Sequence, residues 1–119
     1  MAVTALTTVK LALNDWSDAI TETAASAAAD GVTIANGADF KTVILAHNTH
    51  GSAAKTVTVK KGNGLGGVED IAAESIAAGA TKAIAIDSSR FVNTSGTNKD
   101  KMLVIPESTD VKFVVIELP

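Results

Sequence analysis

The chain has 119 residues, no cysteine and a formal net charge of −3. A single domain of this length buries roughly two-thirds of its unfolded surface and needs no metal or disulfide to fold, and the lack of cysteine excludes disulfides, thiolate zinc sites and cysteine nucleophiles. The acidic balance argues against a general nucleic-acid binder, which carries a basic stripe, so no nucleic-acid partner is expected.

Hydrophobic residues make up 46% of the chain, but much of that is alanine, which contributes little burial per residue. Trp16 is the single tryptophan, phenylalanine occurs at positions 40, 91 and 113, and tyrosine is absent. Aromatic platforms for sugars or unstacked bases are therefore scarce. The first residues, "MAVTALTTVKLALNDW", are broken by Lys10, Asn14 and Asp15 and lack the pattern of a signal peptide. No apolar run approaches the roughly 20 residues of a membrane span, and no membrane partner is expected.

The segment Ser17 to Asp30 is alanine-rich and could be helical by propensity. Thr21, Thr23 and Ser26 dilute that tendency, and a long loop or extended arm fits equally. "GVTIANGADF" suggests a short hairpin turning at Asn36-Gly37. "FKTVILAH" follows with a continuous Val43-Ile44-Leu45 centre, as in a strand covered on both faces.

Next comes "HNTHG", with the only histidines of the chain, His47 and His50. Two histidines at i and i+3 on one helix face can bind zinc. These two sit between strand patterns, and no acid at a recognisable spacing adds a ligand. A polar hairpin loop closed by Gly51 and Ser52 is expected, with no metal.

"KTVTVKK" alternates strictly, with Val57 and Val59 on one face and Thr56, Thr58 and Lys60 on the other. "GNGLGG" then places Gly62, Gly64 and Gly67 in a G-x-G-x-x-G spacing. A strand before it and an acid at Asp87 echo a dinucleotide-binding β-α-β unit. Against that, "KTVTVKK" alternates and ends in lysines, whereas a buried parallel strand is continuously apolar. The expected organisation is a glycine loop followed by a strand, a Gly-Ala turn and a strand in "DIAAESIAAGATKAIAID". Nucleotide binding through Gly62 to Gly67 stays as an alternative.

"KMLVIP" and "VKFVVIEL" are two further strands. The few residues between them, around Glu107 to Asp110, give hairpin spacing. The acid pairs Asp15 and Asp18, Glu69 and Asp70, and Glu107 and Asp110 sit in polar loop contexts, where solvated faces are expected. No G-x-S-x-G elbow or calcium loop occurs. No catalytic, cofactor-binding or metal-ligating residue is assigned, and no enzyme activity is expected. Short strands punctuated by turns imply a sandwich or barrel. Val57, Val59, Ile84, Ile86, Phe113 and Val115 are expected on inward faces.

From Asp30 onward the layout resembles small structural proteins of tailed-phage virions. The matching features are the loop from Asn48 to Ala53, the "TVTV" strand at 56–59, the glycine loop at 62–67, the "AGAT" turn at 78–81, Phe91, and the valine-rich strand from Val111 to Leu118. The resemblance implies an all-β, antiparallel β-sandwich of the jelly-roll or immunoglobulin-like kind over residues 30–119. Residues 1–29 would form an N-terminal arm or first strand. It further implies a capsid decoration or cement protein in the virion, made in the host cytoplasm and bound to the major capsid protein or other virion proteins. A homo-oligomer such as a trimer is expected. A bacterial surface or adhesin-like β-domain is the alternative class.

Overall fold

The computed structural model of the chain describes residues 3–35, 41–62, 69–86, 91–93, 96 and 100–119. Ten strands form: β1 (Thr4–Ala5), β2 (Thr8–Lys10), β3 (Thr23–Ala24), β4 (Val32–Ala35), β5 (Thr42–Asn48), β6 (Lys55–Val59), β7 (Ile71–Ile76), β8 (Thr81–Ile86), β9 (Lys101–Pro106) and β10 (Val111–Glu117). No helix occurs among the described residues. Two mixed sheets of five strands pack together as a β-sandwich. One has the order β1-β4-β9-β6-β7; the other has β2-β10-β5-β8, with β3 also paired to β10.

The antiparallel expectation holds for the central strands and is corrected at one side. There β1 runs parallel to β4, and β2 runs parallel to β10. More than the dozen residues a parallel pairing requires separate these partners. The chain leaves β1 in one sheet and enters β2 in the other, so the N-terminal segment finishes both sheets on the same side.

The alanine-rich segment is not a helix. β3 pairs with β10 through Thr23 and Ala24, and Ala25 enters the core. The Ser26 N–H donates to Thr4 Oγ1 at 2.9 Å. Pairing and packing outweigh alanine's helical preference, which amounts to under about 1 kcal/mol per residue.

Three hairpin expectations are also corrected. β4 and β5, β5 and β6, and β9 and β10 each lie in opposite sheets. Their connections are arches between sheets, although the Asn36-Gly37 turn itself lies outside the described residues. Asn, Gly and Ser tolerate the backbone of either kind of turn. Among the described strands only β6 and β7 form a sequence-adjacent antiparallel pair in one sheet, from Lys55 opposite Ile76 to Val59 opposite Ile71.

Alternation delivers most of the core. Ile34, Ile44, Val59, Ile86, Met102, Val104, Phe113 and Val115 are buried between the sheets. Val57 and Ile84, expected with them, are only partly buried against that cluster. The outward face of β5, with Val43, Leu45 and His47, is half-exposed, so that strand is not fully covered on both sides.

Candidate functional site

The "HNTHG" stretch ends β5 and opens the arch to β6. Alternation along β5 turns Thr42, Ile44, Ala46 and Asn48 inward. Asn48 is fully buried and has its polar atoms partnered. Its Nδ2 donates to the carbonyls of Ala53 at 3.0 Å and Ile76 at 2.9 Å, and its Oδ1 accepts the His50 N–H at 3.0 Å. Its own backbone joins the β7–β8 arch, donating to Ala80 O and accepting from Gly79 N. Thr49 N and Oγ1 both donate to Asp110 O in the β9–β10 arch. Asn48 thus ties the β5–β6 arch to the β7–β8 arch, and Thr49 beside it adds the β9–β10 arch at the same end of the sandwich.

The histidines serve different neighbours. His50 Nδ1 accepts the N–H groups of Ser52 and Ala53 at 3.1 and 2.9 Å. An Nδ1 with two backbone donors is an acceptor, which leaves the proton on Nε2. His47 Nδ1 lies 2.7 Å from Glu22 Oε2 and ties the N-terminal segment to β5. Among the described residues no group of three or more His, Asp or Glu side chains could hold a metal ion.

The glycine loop joins two antiparallel strands of one sheet, β6 and β7. A dinucleotide-binding unit needs parallel strands joined through a helix, so the β-α-β reading is overturned. Of the alternative nucleotide site Gly62 to Gly67, Gly62 is buried and residues 63–67 lie outside the described residues. Asp70 closes the base of the loop: Oδ2 accepts Lys60 Nζ at 2.8 Å and Oδ1 accepts Lys61 N at 2.7 Å. The Lys60 hydrogen bond and then the Lys61 N–H hold the Asp70 carboxyl below its usual range.

Of the remaining acid pairs, Glu107, Asp110 and Asp15 use their carboxylates in local contacts. Glu107 Oε1 accepts the Thr56 N–H at 2.9 Å. Asp110 Oδ2 lies 3.1 Å from Ser108 Oγ. Asp15 Oδ1 accepts the Trp16 N–H at 2.9 Å, and Asp18 O accepts Ser17 Oγ.

Two apolar features stand out. The loop between β2 and β3 is rooted on β10 at both ends and exposes Leu13, Trp16 and Ile20 to 77%, 97% and 51%. Trp16 touches almost nothing of its own molecule. On the other side of the sandwich, where β7 and β8 are the outer strands, a cleft of about 260 Å3 opens between the sheets. Ile44, Val57, Ile71, Ile84 and Val104 line it, with Ala72 and Ala83 at its exposed part. Lys82 Nζ and Glu74 Oε2 meet at 2.6 Å beside it.

Sequence reasoning passed over Asn48 and Trp16. The inward parity of β5 carried the signal for Asn48, since an amide after three inward residues must find buried partners. For Trp16 the signal was a lone large aromatic among Asp15, Asp18 and Glu22, with Leu13 three residues before it and Ile20 four after.

Comparison of the chain with protein-family models, curated proteins and solved structures finds no match.

Proposed function

We propose that this chain is a non-enzymatic structural protein of a tailed-phage virion, a decoration or cement protein on the outside of the shell. The observation that carries the reading is the loop bearing Leu13, Trp16 and Ile20. A tryptophan exposed to 97% on a small sandwich is the kind of anchor that fills a pocket on a partner. The resemblance of residues 30–119 to phage structural proteins names the partner class: the major capsid protein or another virion protein. Repeated copies on a symmetric shell multiply modest individual affinities, and a homo-oligomer about a local axis, such as a trimer, suits that placement.

Co-sedimentation with purified shells tests it. Full-length protein should pellet with shells, and the Leu13→Ala/Trp16→Ala double variant should lose most of that binding while remaining folded. Deleting residues 1–29 would be a poor substitute, because it strips β1, β2 and β3 from the sheets. Failure of the full-length protein to pellet with capsids or tails overturns the reading.

A further inference from the structure

The backbone of β8 carries a surface of its own. Antiparallel partners alternate between pairs that exchange both backbone bonds and pairs that exchange none, so every second residue of a strand turns its N–H and C=O to the same side. Asn48 turns both toward the β7–β8 arch, donating to Ala80 O and accepting from Gly79 N, and the Thr49 N–H turns the other way to Asp110 O. Thr42, Ile44 and Ala46 share the direction of Asn48, so the bonded pairs of the β5–β8 ladder are Thr42 with Ile86, Ile44 with Ile84 and Ala46 with Lys82. The N–H and C=O groups of Thr81, Ala83 and Ala85 consequently point away from β5, along an edge that no strand pairs with among the described residues. We propose that this edge is filled by the same edge of a second copy, in an antiparallel two-fold dimer centred on Ala83.

A row of backbone donors and acceptors at two-residue spacing is completed by an extended strand, and this row complements itself. With Ala83 opposite the second copy's Ala83, Thr81 of each copy meets Ala85 of the other, and every group aimed outward gains a partner. Thr81, Ala83 and Ala85 are exposed and small, which leaves room for a backbone at the ladder spacing of about 4.8 Å. Lys82 is the single charge in β8, and in this register it falls opposite the second copy's Ile84. Glu74 meets that charge within each copy at 2.6 Å, so no unpaired cation guards the edge. Sliding the register two residues toward Thr81 would set the two Lys82 side chains directly opposite each other, which is unfavourable. Sliding it the other way moves Thr81 past the end of the facing strand. The β7 edge is less suited, because its pairing with β6 shifts register between Val57 and Val59 and the bend breaks the row.

Such a contact is isologous and closes at two copies. In the sheet, β8 is separated by β5 from β10, which roots the Leu13–Trp16–Ile20 loop, so the dimer neither uses that loop nor rests on the shell-binding reading. It is tested on purified protein without shells, and its failure and a failure to bind shells are separate results.

Raising full-length protein from about 1 μM to about 1 mM, a range that covers weak to moderate Kd values, should carry the mass seen by sedimentation velocity from monomer to dimer and no further. Ala83→Pro removes an N–H that no strand of its own molecule uses, and edge strands tolerate proline; this variant should stay monomeric. Ala83→Lys sets two like charges opposite each other at the axis and should weaken the dimer by up to about fivefold, which keeps the test open if proline disturbs folding. The chain has no cysteine, so Ala83→Cys carries a single thiol. Directly opposite residues of a bonded pair have Cα atoms about 5.5 Å apart, within disulfide reach, and mild oxidation should link this variant into dimers. Ala5→Cys, exposed on the outer strand of the other side, should link far more slowly. Wild-type protein that stays monomeric over the whole range overturns the proposal. So does folded Ala83→Pro protein that dimerises like wild type, or Ala5→Cys that links as fast as Ala83→Cys, since either result places the contact elsewhere.

Discussion

The two lateral sides of the sandwich solve the same problem differently. On the N-terminal side the outer strands β1, β2 and β3 are two or three residues long, and they cover β4 and β10, whose inward residues are fully buried. On the opposite side the outer strands β7 and β8 are six residues long, nothing among the described residues pairs with their far edges, and an apolar cleft opens between them. Long unpaired edges invite association, and natural proteins restrain them with charge. Here the Glu74–Lys82 pair and exposed alanines are the only visible restraint among the described residues. The difference teaches that inward alternation is necessary for burial but insufficient: Val57 and Ile84 point inward as Val59 and Ile86 do, yet they line an opening.

The sharpest test of the contrast compares Phe113 on the closed side with Ile84 on the open one. Phe113→Ala should cost about 3–5 kcal/mol in urea denaturation, the usual range for a core phenylalanine. Gly31→Ala should follow at about 3 kcal/mol, because Gly31 has φ near 68° and a Cβ there would strike Val104 O and the Ile105 side chain. Asn48→Ala should cost about 2–3 kcal/mol, since it strips buried partners from His50 N, Ala53 O and Ile76 O. Ile84→Ala should cost less, about 1–2 kcal/mol, because solvent already reaches its surroundings. Equal losses for Phe113 and Ile84 would mean that the β7–β8 side is as closed as the other.

The smallest effect is electrostatic. Asp70 has a carboxyl pKa lowered from 3.8 by the Lys60 hydrogen bond first and the Lys61 N–H second. A carboxylate depressed in the folded state stabilises it above the unfolded pKa, and that stabilisation fades as pH falls through the lowered folded value. Wild-type protein should therefore melt slightly above Asp70→Asn at neutral pH, and the gap should close below about pH 4. A gap that persists in strong acid would show that Asp70 acts through its shape and not its charge.

Much of the strand content could be read directly. Val57 and Val59, Ile84 and Ile86, and Phe113 and Val115 share parity within their strands, and that parity is local covalent geometry. The turns at Gly31 and Gly79 could be read for the same reason, since positive φ favours glycine. The partners of those strands could not. Glu107 to Asp110 has the length of a hairpin loop, yet it carries the chain from one sheet to the other. The role of the histidines was equally hidden: their neighbours Glu22, Ser52 and Ala53 matter only once β5, its arch and the N-terminal segment are brought together.

The sequence by itself determined that this protein is all-β, where most strands run, and which face of each is apolar. These follow from the two-residue period of the extended chain and from the backbone tolerance of glycine and asparagine. Only the tertiary structure decided that most connections are arches, that β1 and β2 lie parallel to their partners, that Asn48 and Thr49 together tie three arches, and that Trp16 is exposed on the side opposite the β7–β8 cleft. Those outcomes depend on which sheets pack together and where each sheet ends. That is settled by the summed burial of residues far apart in the chain, and no local window of sequence contains it.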